Sequence, residues 1–263
     1  MILVGDHKQL PPVFDMNIIR KANNSLLKVE ELKKGLFMKF FDILPEENKQ
    51  KLTVQYRMNP VIGKMISKIF YDCEIDDGVS ISERNHGISD YGNNAIIWLS
   101  TSKRADDKKE ETRTTNQSFI NYLEAKIVKE QLLKIDKNIT DKDYKIGIIT
   151  GYSAQKHYLH KEIKNLNLKN IADNIDINTV DAFQGRQTDI IIYSTVRSSK
   201  KNSSIGFQKE RERLNVAFSR ARRLLIIVGD LDFINNYAIR DNKFPDIIKY
   251  IKENKDYCQI IDC

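Results

Sequence analysis

Cysteine is scarce in this sequence: Cys73, Cys258 and Cys263 form no CxxC pair, and an odd number argues against a disulfide framework. The four histidines add no ligand set. His157 and His160 share a helical face, but no cysteine or acidic cluster completes a zinc site, so no metal is expected. Five prolines and eleven glycines are too few for a collagen-like or low-complexity chain. No apolar run approaches the roughly 18 residues of a membrane span. Met1–Asp6 has neither a basic start nor a small-residue cleavage site, so no membrane and no leader peptide are expected. The expected setting is intracellular, cytoplasmic or nuclear. A phosphate loop of the form G-x-x-x-x-G-K-[ST] is also lacking, since the one Gly-Lys pair, Gly63-Lys64, is followed by Met65.

What is present suits a folded domain with an anionic partner. The 263 residues are 41% hydrophobic and 30% charged, enough for a sizeable core and too apolar for general disorder. Lysine and arginine number 43 against 36 acidic residues, a net charge of +7 that favours a polyanion through phosphate neutralisation. That surplus does not by itself name the partner.

Apolar runs with the character of buried parallel strands recur at Met1–Val4, Ala95–Leu99, Lys145–Thr150, Ile175–Val180, Ile190–Val196 and Leu224–Val228. Helical periodicity lies between them, in Val61, Ile62, Met65, Ile66, Ile69 and Phe70, and again in Ile120, Leu123, Ile127, Val128, Leu132 and Ile135. Strand alternating with helix predicts an α/β fold, a parallel sheet with helices on both faces. Asn17–Leu44 reads as helical, with Leu32, Leu36 and Phe40 on one stripe. Thr101–Asn116, charged and without apolar period, reads as a mobile surface loop. A boundary near residue 48 divides the chain into a remnant of one domain (1–48), a nearly complete second one (49–240) and a helical tail (241–263).

Four segments carry candidate chemistry. The first strand runs into Gly5-Asp6-His7-Lys8-Gln9-Leu10-Pro11-Pro12, at the strand end where open α/β sheets bind ligands. Gln9 donates and accepts, which suits sensing a terminal phosphate or orienting a water. In Gln55-Tyr56-Arg57-Met58-Asn59-Pro60, Asn59 is a helix cap and Pro60 a first helical residue, so Arg57 lies beside a helix N-terminus where an anion is favoured. Tyr56 offers an aromatic face for a base. The third segment, Thr179-Val180-Asp181-Ala182-Phe183-Gln184-Gly185-Arg186-Gln187, links two strands through a polar turn. The fourth, Arg213-Leu214-Asn215-Val216-Ala217-Phe218-Ser219-Arg220-Ala221-Arg222, puts Arg213 and Arg220 on one face if it is helical throughout, which suits polyphosphate recognition. Each has a plain alternative: a strand exit, core filler with a surface salt bridge, a turn, a solvated basic stripe.

In this order and spacing the segments resemble the later motifs of superfamily 1 helicases, in the branch of the nonsense-mediated-decay helicase, senataxin and the replication nuclease-helicase. Gly5-Asp6-x-x-Gln9-Leu10-Pro11-Pro12 resembles motif III, and Gln55-Tyr56-Arg57-Met58 with Pro60 motif IIIa/IV. Ile146–Gln155 resembles the motif that follows, Val180–Arg186 motif V, and Arg213–Arg222 motif VI. The resemblance covers nearly the whole chain. It implies a RecA-like P-loop NTPase fold, the second motor lobe plus a remnant of the first, with ATP and Mg²⁺ bound between lobes. It assigns Gln9 to the γ-phosphate, Tyr56 to the adenine, and Arg57 and Arg220 to the phosphoryl-transfer charge. Asp6, Gly185, Arg186, Gln187 and Arg213 fall near the nucleotide. Thr150, Tyr152, Thr179, Val180 and Asp181 fall along a single strand of DNA or RNA, with 5′-to-3′ movement.

Three departures stand out. Thr150-Gly151-Tyr152 replaces the usual Thr-Pro-Tyr, Gln187 stands where a glutamate is usual, and the motifs begin at motif III, without the phosphate loop and the acidic metal-binding motif. The expectation is therefore the C-terminal motor half of an ATP-dependent helicase, inactive alone and completed by an N-terminal RecA-like lobe. The alternative is a non-catalytic nucleic-acid-binding or regulatory remnant.

Overall fold

β-branched and other apolar side chains running without a polar break suit a pleated surface covered on both sides. In the computed structural model, which describes residues 2–11, 29–105, 109–140, 143–200, 204–236 and 242–263, such runs become the central strands. The chain begins with α1 (Val29–Ile43), β1 (Val54–Gln55), α2 (Pro60–Phe70), β2 (Asp76–Asp77) and β3 (Ile96–Ser100). It continues through β4 (Thr112–Arg113), β5 (Phe119–Ile120), α3 (Tyr122–Asn138), β6 (Ile146–Thr150), α4 (Ser153–Lys164) and β7 (Ile175–Thr179). The last elements are β8 (Thr188–Ser194), α5 (Arg211–Phe218), β9 (Ala221–Gly229), α6 (Leu231–Asn235), α7 (Phe244–Glu253) and β10 (Cys258–Asp262).

Six strands form one parallel sheet in the order β10-β3-β9-β8-β6-β7. Side chains alternate across it, as the two-residue period of a strand requires. Trp98, Tyr193 and Ile227 face one core with Met65, Phe218 and Phe244, from α2, α5 and α7. Ile97, Ile192 and Ile226 face the other with Val128, Leu132 and Leu159, from α3 and α4. The expected α/β architecture is the one observed. The register sets Thr150 beside both Thr179 and Ser194, and Ser194 beside Val228, so the carboxyl ends of β6, β7, β8 and β9 share one edge.

Five expectations change. Met1 and Asn17–Lys28 lie outside the described residues, but Ile2–Val4 is not a strand. Ile2 is 91% exposed, and no strand among the described residues pairs with it. An apolar run becomes a strand only beside a partner for its backbone groups. The helix expected up to Leu44 is present from Val29 to Ile43 but breaks at Gly35, whose φ of 70° and ψ of 160° are open to glycine and costly for other residues. Thr101–Asn116 is anchored where described: Lys109 Nζ lies 3.1 Å from Asp230, and Glu111 pairs with Arg197 at 3.0 Å, both partners buried. The tail 241–263 is helical only as α7; β10 then joins β3 and widens the sheet. Finally, α5 ends at Phe218, so Arg213 lies on the helix and Arg220 beyond it in the turn that enters β9. The two arginines do not share a helical face.

Candidate nucleotide and nucleic-acid site

The Asp6–Gln9 loop is organised by one carboxylate. Asp6 Oδ1 accepts from the Lys8 amide at 2.9 Å, and Oδ2 accepts from Gln9 Nε2 at 2.7 Å and from the Tyr71 hydroxyl at 2.5 Å. A short polar side chain bonding to the backbone two residues on is the Asx-turn device. Leu10 packs against the core beneath, which fixes the loop to the α2/α5 side of the sheet.

Arg57 enters the same cleft from the start of α2. Asn59 caps that helix, its side chain accepting from the Val61 amide at 2.9 Å, and Pro60 occupies the first turn. Gln55 folds the preceding turn: its Oε1 accepts from the amides of Arg57 at 2.8 Å and Met58 at 2.7 Å. The Arg57 guanidinium then reaches Gln187 Oε1 at 3.0 Å and the Ser219 carbonyl at 3.2 Å.

Arg220 is buried in the turn after α5. Its Nε donates to the Val216 carbonyl at 3.0 Å, Nη1 to the Arg186 carbonyl at 3.2 Å, and Nη2 to Gln9 Oε1 at 3.0 Å. Burial, together with the nearby Arg57 charge, pushes its pKa down to about 10, and burial also lowers that of Arg57. Both remain cations at neutral pH. Among the described residues neither forms an ion pair; their direct hydrogen-bond partners are neutral oxygens, and the Asp6 carboxylate acts on Arg220 from behind Gln9.

The other arginines near this cleft are already committed. Arg186 pairs with Asp176 at 2.6 Å, and Arg213 with Asp181 and Glu210, each at 3.1 Å. Gly185 adopts a φ of 83° at an open position in the turn between them. Tyr56 is 66% exposed, with its ring over Gly78, where a Cβ would overlap it. The sequence placed Gln9, Arg57, Gln187 and Arg220 in one site, and the fold brings them together. It also adds two residues that no motif singled out for this purpose. Tyr71 binds Asp6 from 65 residues away, so no local pattern marks it. Arg84 donates to the Tyr56 carbonyl at 2.7 Å and the Arg57 carbonyl at 2.9 Å, fixing the backbone of that pair.

The donor set fits the anionic end of a nucleotide: two guanidinium groups outside any ion pair among the described residues, an amide and an exposed ring. It offers less for a metal, since no group of three or more His, Cys, Asp or Glu side chains among the described residues is placed to hold one. The expected nucleic-acid residues lie along the carboxyl edge of β6 and β7. Thr179 is half-buried and Asp181 exposed, whereas Thr150 and Val180 are buried. Tyr152 is 4% exposed, its ring 5.5 Å from that of Phe119 and its hydroxyl accepting from Arg197 at 3.4 Å. Its ring is therefore engaged in packing.

A family profile described as AAA domain matches residues 32–232. Helicase sen1 of Schizosaccharomyces pombe is 36% identical over 88% of this chain and 13% of its own length. The DNA polymerase alpha-associated DNA helicase A of Saccharomyces cerevisiae is 31% identical over 98% of this chain and 37% of its own. The chain belongs to the AAA domain family of superfamily 1 helicases. The ATP-dependent helicase NAM7 of Saccharomyces cerevisiae, 32% identical over 88% of this chain and 23% of its own length, carries the same relationship. The chain thus spans well under half the length of each of these relatives. What it represents is the C-terminal helicase domain, with Asp6–Gln9 and the arginine cleft on one side. No helix among the described residues is long and apolar enough to cross a membrane.

Proposed function

We propose that this chain is the C-terminal motor half of an ATP-dependent superfamily 1 helicase, acting within the cell and coupling hydrolysis to 5′-to-3′ movement on single-stranded DNA or RNA. The observation that carries this reading is the Arg57–Arg220 pair. The Arg57 charge lowers the pKa of buried Arg220, and among the described residues neither guanidinium has a carboxylate within ion-pair distance, Asp6 reaching Arg220 only through Gln9, so a bound polyanion would stabilise both.

The chemistry follows from the same atoms. Arg57 is held by the Ser219 carbonyl and Gln187, and Arg220 by the Val216 and Arg186 carbonyls, so both present charge with little reorganisation when phosphoryl transfer spreads negative charge. Gln9 lies beside Arg220, where its amide can sense the terminal phosphate or orient water. Tyr56 offers its ring to the base. ATP with Mg²⁺, when bound, would supply the reactive phosphoanhydride, and a phosphate-loop lysine and metal-holding groups would come from an N-terminal lobe. Thr179 and Asp181, with Thr150 and Val180 behind them, lie on the edge that would follow a nucleic-acid backbone.

The test is phosphate release from ATP with Mg²⁺ and single-stranded nucleic acid, by the purified chain alone and with a separately expressed phosphate-loop lobe from a relative. We expect turnover only in the mixture, stimulated by nucleic acid. Turnover by the chain alone that disappears in Arg220→Ala would overturn the division of the site. Absence of turnover in a mixture that forms a stable complex would overturn the motor reading.

A further inference from the structure

Gln9 is held at both ends of its amide. Its Nε2 donates to Asp6, and its Oε1 accepts from Arg220 Nη2. These two bonds differ in how well they resist competition. An anionic phosphate oxygen is a better acceptor for a guanidinium than a neutral amide oxygen, because charge-assisted hydrogen bonds are roughly twice as strong as neutral ones. Arg220 Nη2 gives one N–H to Gln9 and the other to the Ser219 hydroxyl, and a phosphate that takes the first displaces Gln9 Oε1. The Asp6 contact is then what keeps Gln9 in the cleft, and Asp6 is itself exposed on a loop with few backbone bonds of its own.

What holds Asp6 is Tyr71. This residue closes the C-terminus of α2, the helix whose other end begins beside Arg57. Its hydroxyl donates to Asp6 Oδ2 at 2.5 Å and accepts from Asn215 Nδ2 at 2.9 Å. Asn215, buried on α5, donates with the same nitrogen to the Lys8 carbonyl at 2.7 Å. The loop is thus tied to α2 by Tyr71 and to α5 by Asn215, independently of Arg220.

We propose that Tyr71 is a positioning residue, which with Asn215 keeps the Asp6–Gln9 loop in the arginine cleft while Arg220 exchanges Gln9 for a phosphate. This rests on the reading of Gln9 as a nucleotide sensor. Burial and the Asp6 carboxylate push the Tyr71 hydroxyl up to about 12, so it remains a donor across the physiological range.

The hold is tested without nucleotide. Trypsin cutting after Lys8 requires the loop to leave the surface, and when reclosing is fast the rate follows the open population. Tyr71→Phe removes only the hydroxyl, and the loss of one hydrogen bond to a charged group should raise cleavage after Lys8 about ten-fold. Cleavage after Lys164, on the opposite face of the sheet, should not change. Asn215→Asp, which keeps the size of the side chain but cannot donate to the Lys8 carbonyl, should act in the same direction. In the complemented ATPase, Tyr71→Phe should lower kcat while KM for ATP stays within about twofold, because the ground-state contacts of Tyr56 and the arginines remain. Unchanged cleavage after Lys8 in both variants overturns the proposal. Raised cleavage with unchanged kcat supports the hold by Tyr71 and overturns instead the action of Gln9 on the nucleotide.

Discussion

Two buried charged regions lie at different places in this domain, and they are built on opposite rules. In the cleft, the hydrogen-bond partners of Arg57 and Arg220 are amide and carbonyl oxygens and the Ser219 hydroxyl, with no ion pair among the described residues. Beyond the carboxyl end of β8, two ion pairs, Lys109–Asp230 and Arg197–Glu111, are made within the fold, and a buried acid is satisfied by hydrogen bonds alone. Glu124, fully buried, accepts from Ser194 Oγ at 2.6 Å, Thr195 Oγ1 at 3.0 Å and the Val196 amide at 2.8 Å. Asp230 accepts from Ser198 at 2.7 Å and Ser102 at 2.9 Å and pairs with Lys109, while Arg197 pairs with Glu111. The matched region also holds strain. Val196 has a φ of 68°, rare for a β-branched residue, and its amide is the one bound to Glu124. Ion pairs within the fold in one place and arginines without one in another support the proposal that the cleft takes an outside anion.

The largest expected effect breaks that comparison at the cleft. Arg220→Ala should lower turnover of the complemented ATPase by about 10³–10⁵, the worth of an arginine acting on phosphoryl transfer. Its thermal stability should fall little, by less than about 2 kcal/mol, because the lost carbonyl contacts are offset by relief of burial and of the repulsion from Arg57. A melting curve and a phosphate-release rate on one preparation decide it. A large loss of stability would make Arg220 a structural residue.

Glu124 should show the reverse. Glu124→Ala leaves three donors without their acceptor and should cost about 3–5 kcal/mol in denaturant unfolding. Glu124→Gln, which keeps shape and an acceptor, should cost less and remain foldable. The carboxyl also links stability to pH. Burial raises its pKa to about 8, outweighing the three hydrogen bonds that favour the carboxylate. The folded state then holds a proton that the unfolded chain releases near 4.5, so the contribution is complete below that value and is lost as pH rises to about 8. Stability should decline across that window by at most about 1.4 kcal/mol per pH unit, and Glu124→Gln should flatten the slope. An unchanged slope in the variant would assign the decline to another group.

Much of this was legible in the sequence, and the exceptions have physical causes. The central strands stood out because their apolar runs are covered on both faces, and Asn59-Pro60 marked the start of α2. The edge strand β10 was missed because a strand open on one side needs fewer apolar residues, and Cys258–Asp262 follows a helix directly. The Thr101–Asn116 segment read as a solvated loop because sequence shows that Lys109 and Glu111 are charged but not that Asp230 and Arg197 await them. Arg220 was placed on a helix because the packing residues before it are helical. The helix stops at Phe218 because the apolar run from Leu224 to Val228 pulls Ala221 onward into the sheet. Gln9, Arg57 and Arg220 could be named as a site, but Tyr71 could not, since its partners Asp6 and Asn215 come from two stretches of chain far from it in sequence.

The smallest expected effect sharpens the comparison at its border. Arg213 was expected among the nucleotide contacts, yet it is held by Asp181 and Glu210, both nearly half exposed. Exposed ion pairs contribute about 0–1 kcal/mol and are screened by salt, so Arg213→Gln should shift the melting temperature only slightly, and less so at high salt. If a cation already matched by carboxylates is part of the fold and not of the nucleotide site, KM for ATP in the complemented enzyme should stay within about threefold. The loss should appear instead on the other side of the pair. Asp181, released from its partner on the edge proposed to follow the nucleic-acid backbone, would set an uncompensated negative charge toward phosphates. Single-strand affinity should fall modestly at low salt and recover as salt screens the carboxylate. A loss of turnover as large as that of Arg220→Ala, with nucleic-acid binding intact, would mean that ion pairing within the fold does not separate structural from nucleotide-binding arginines here.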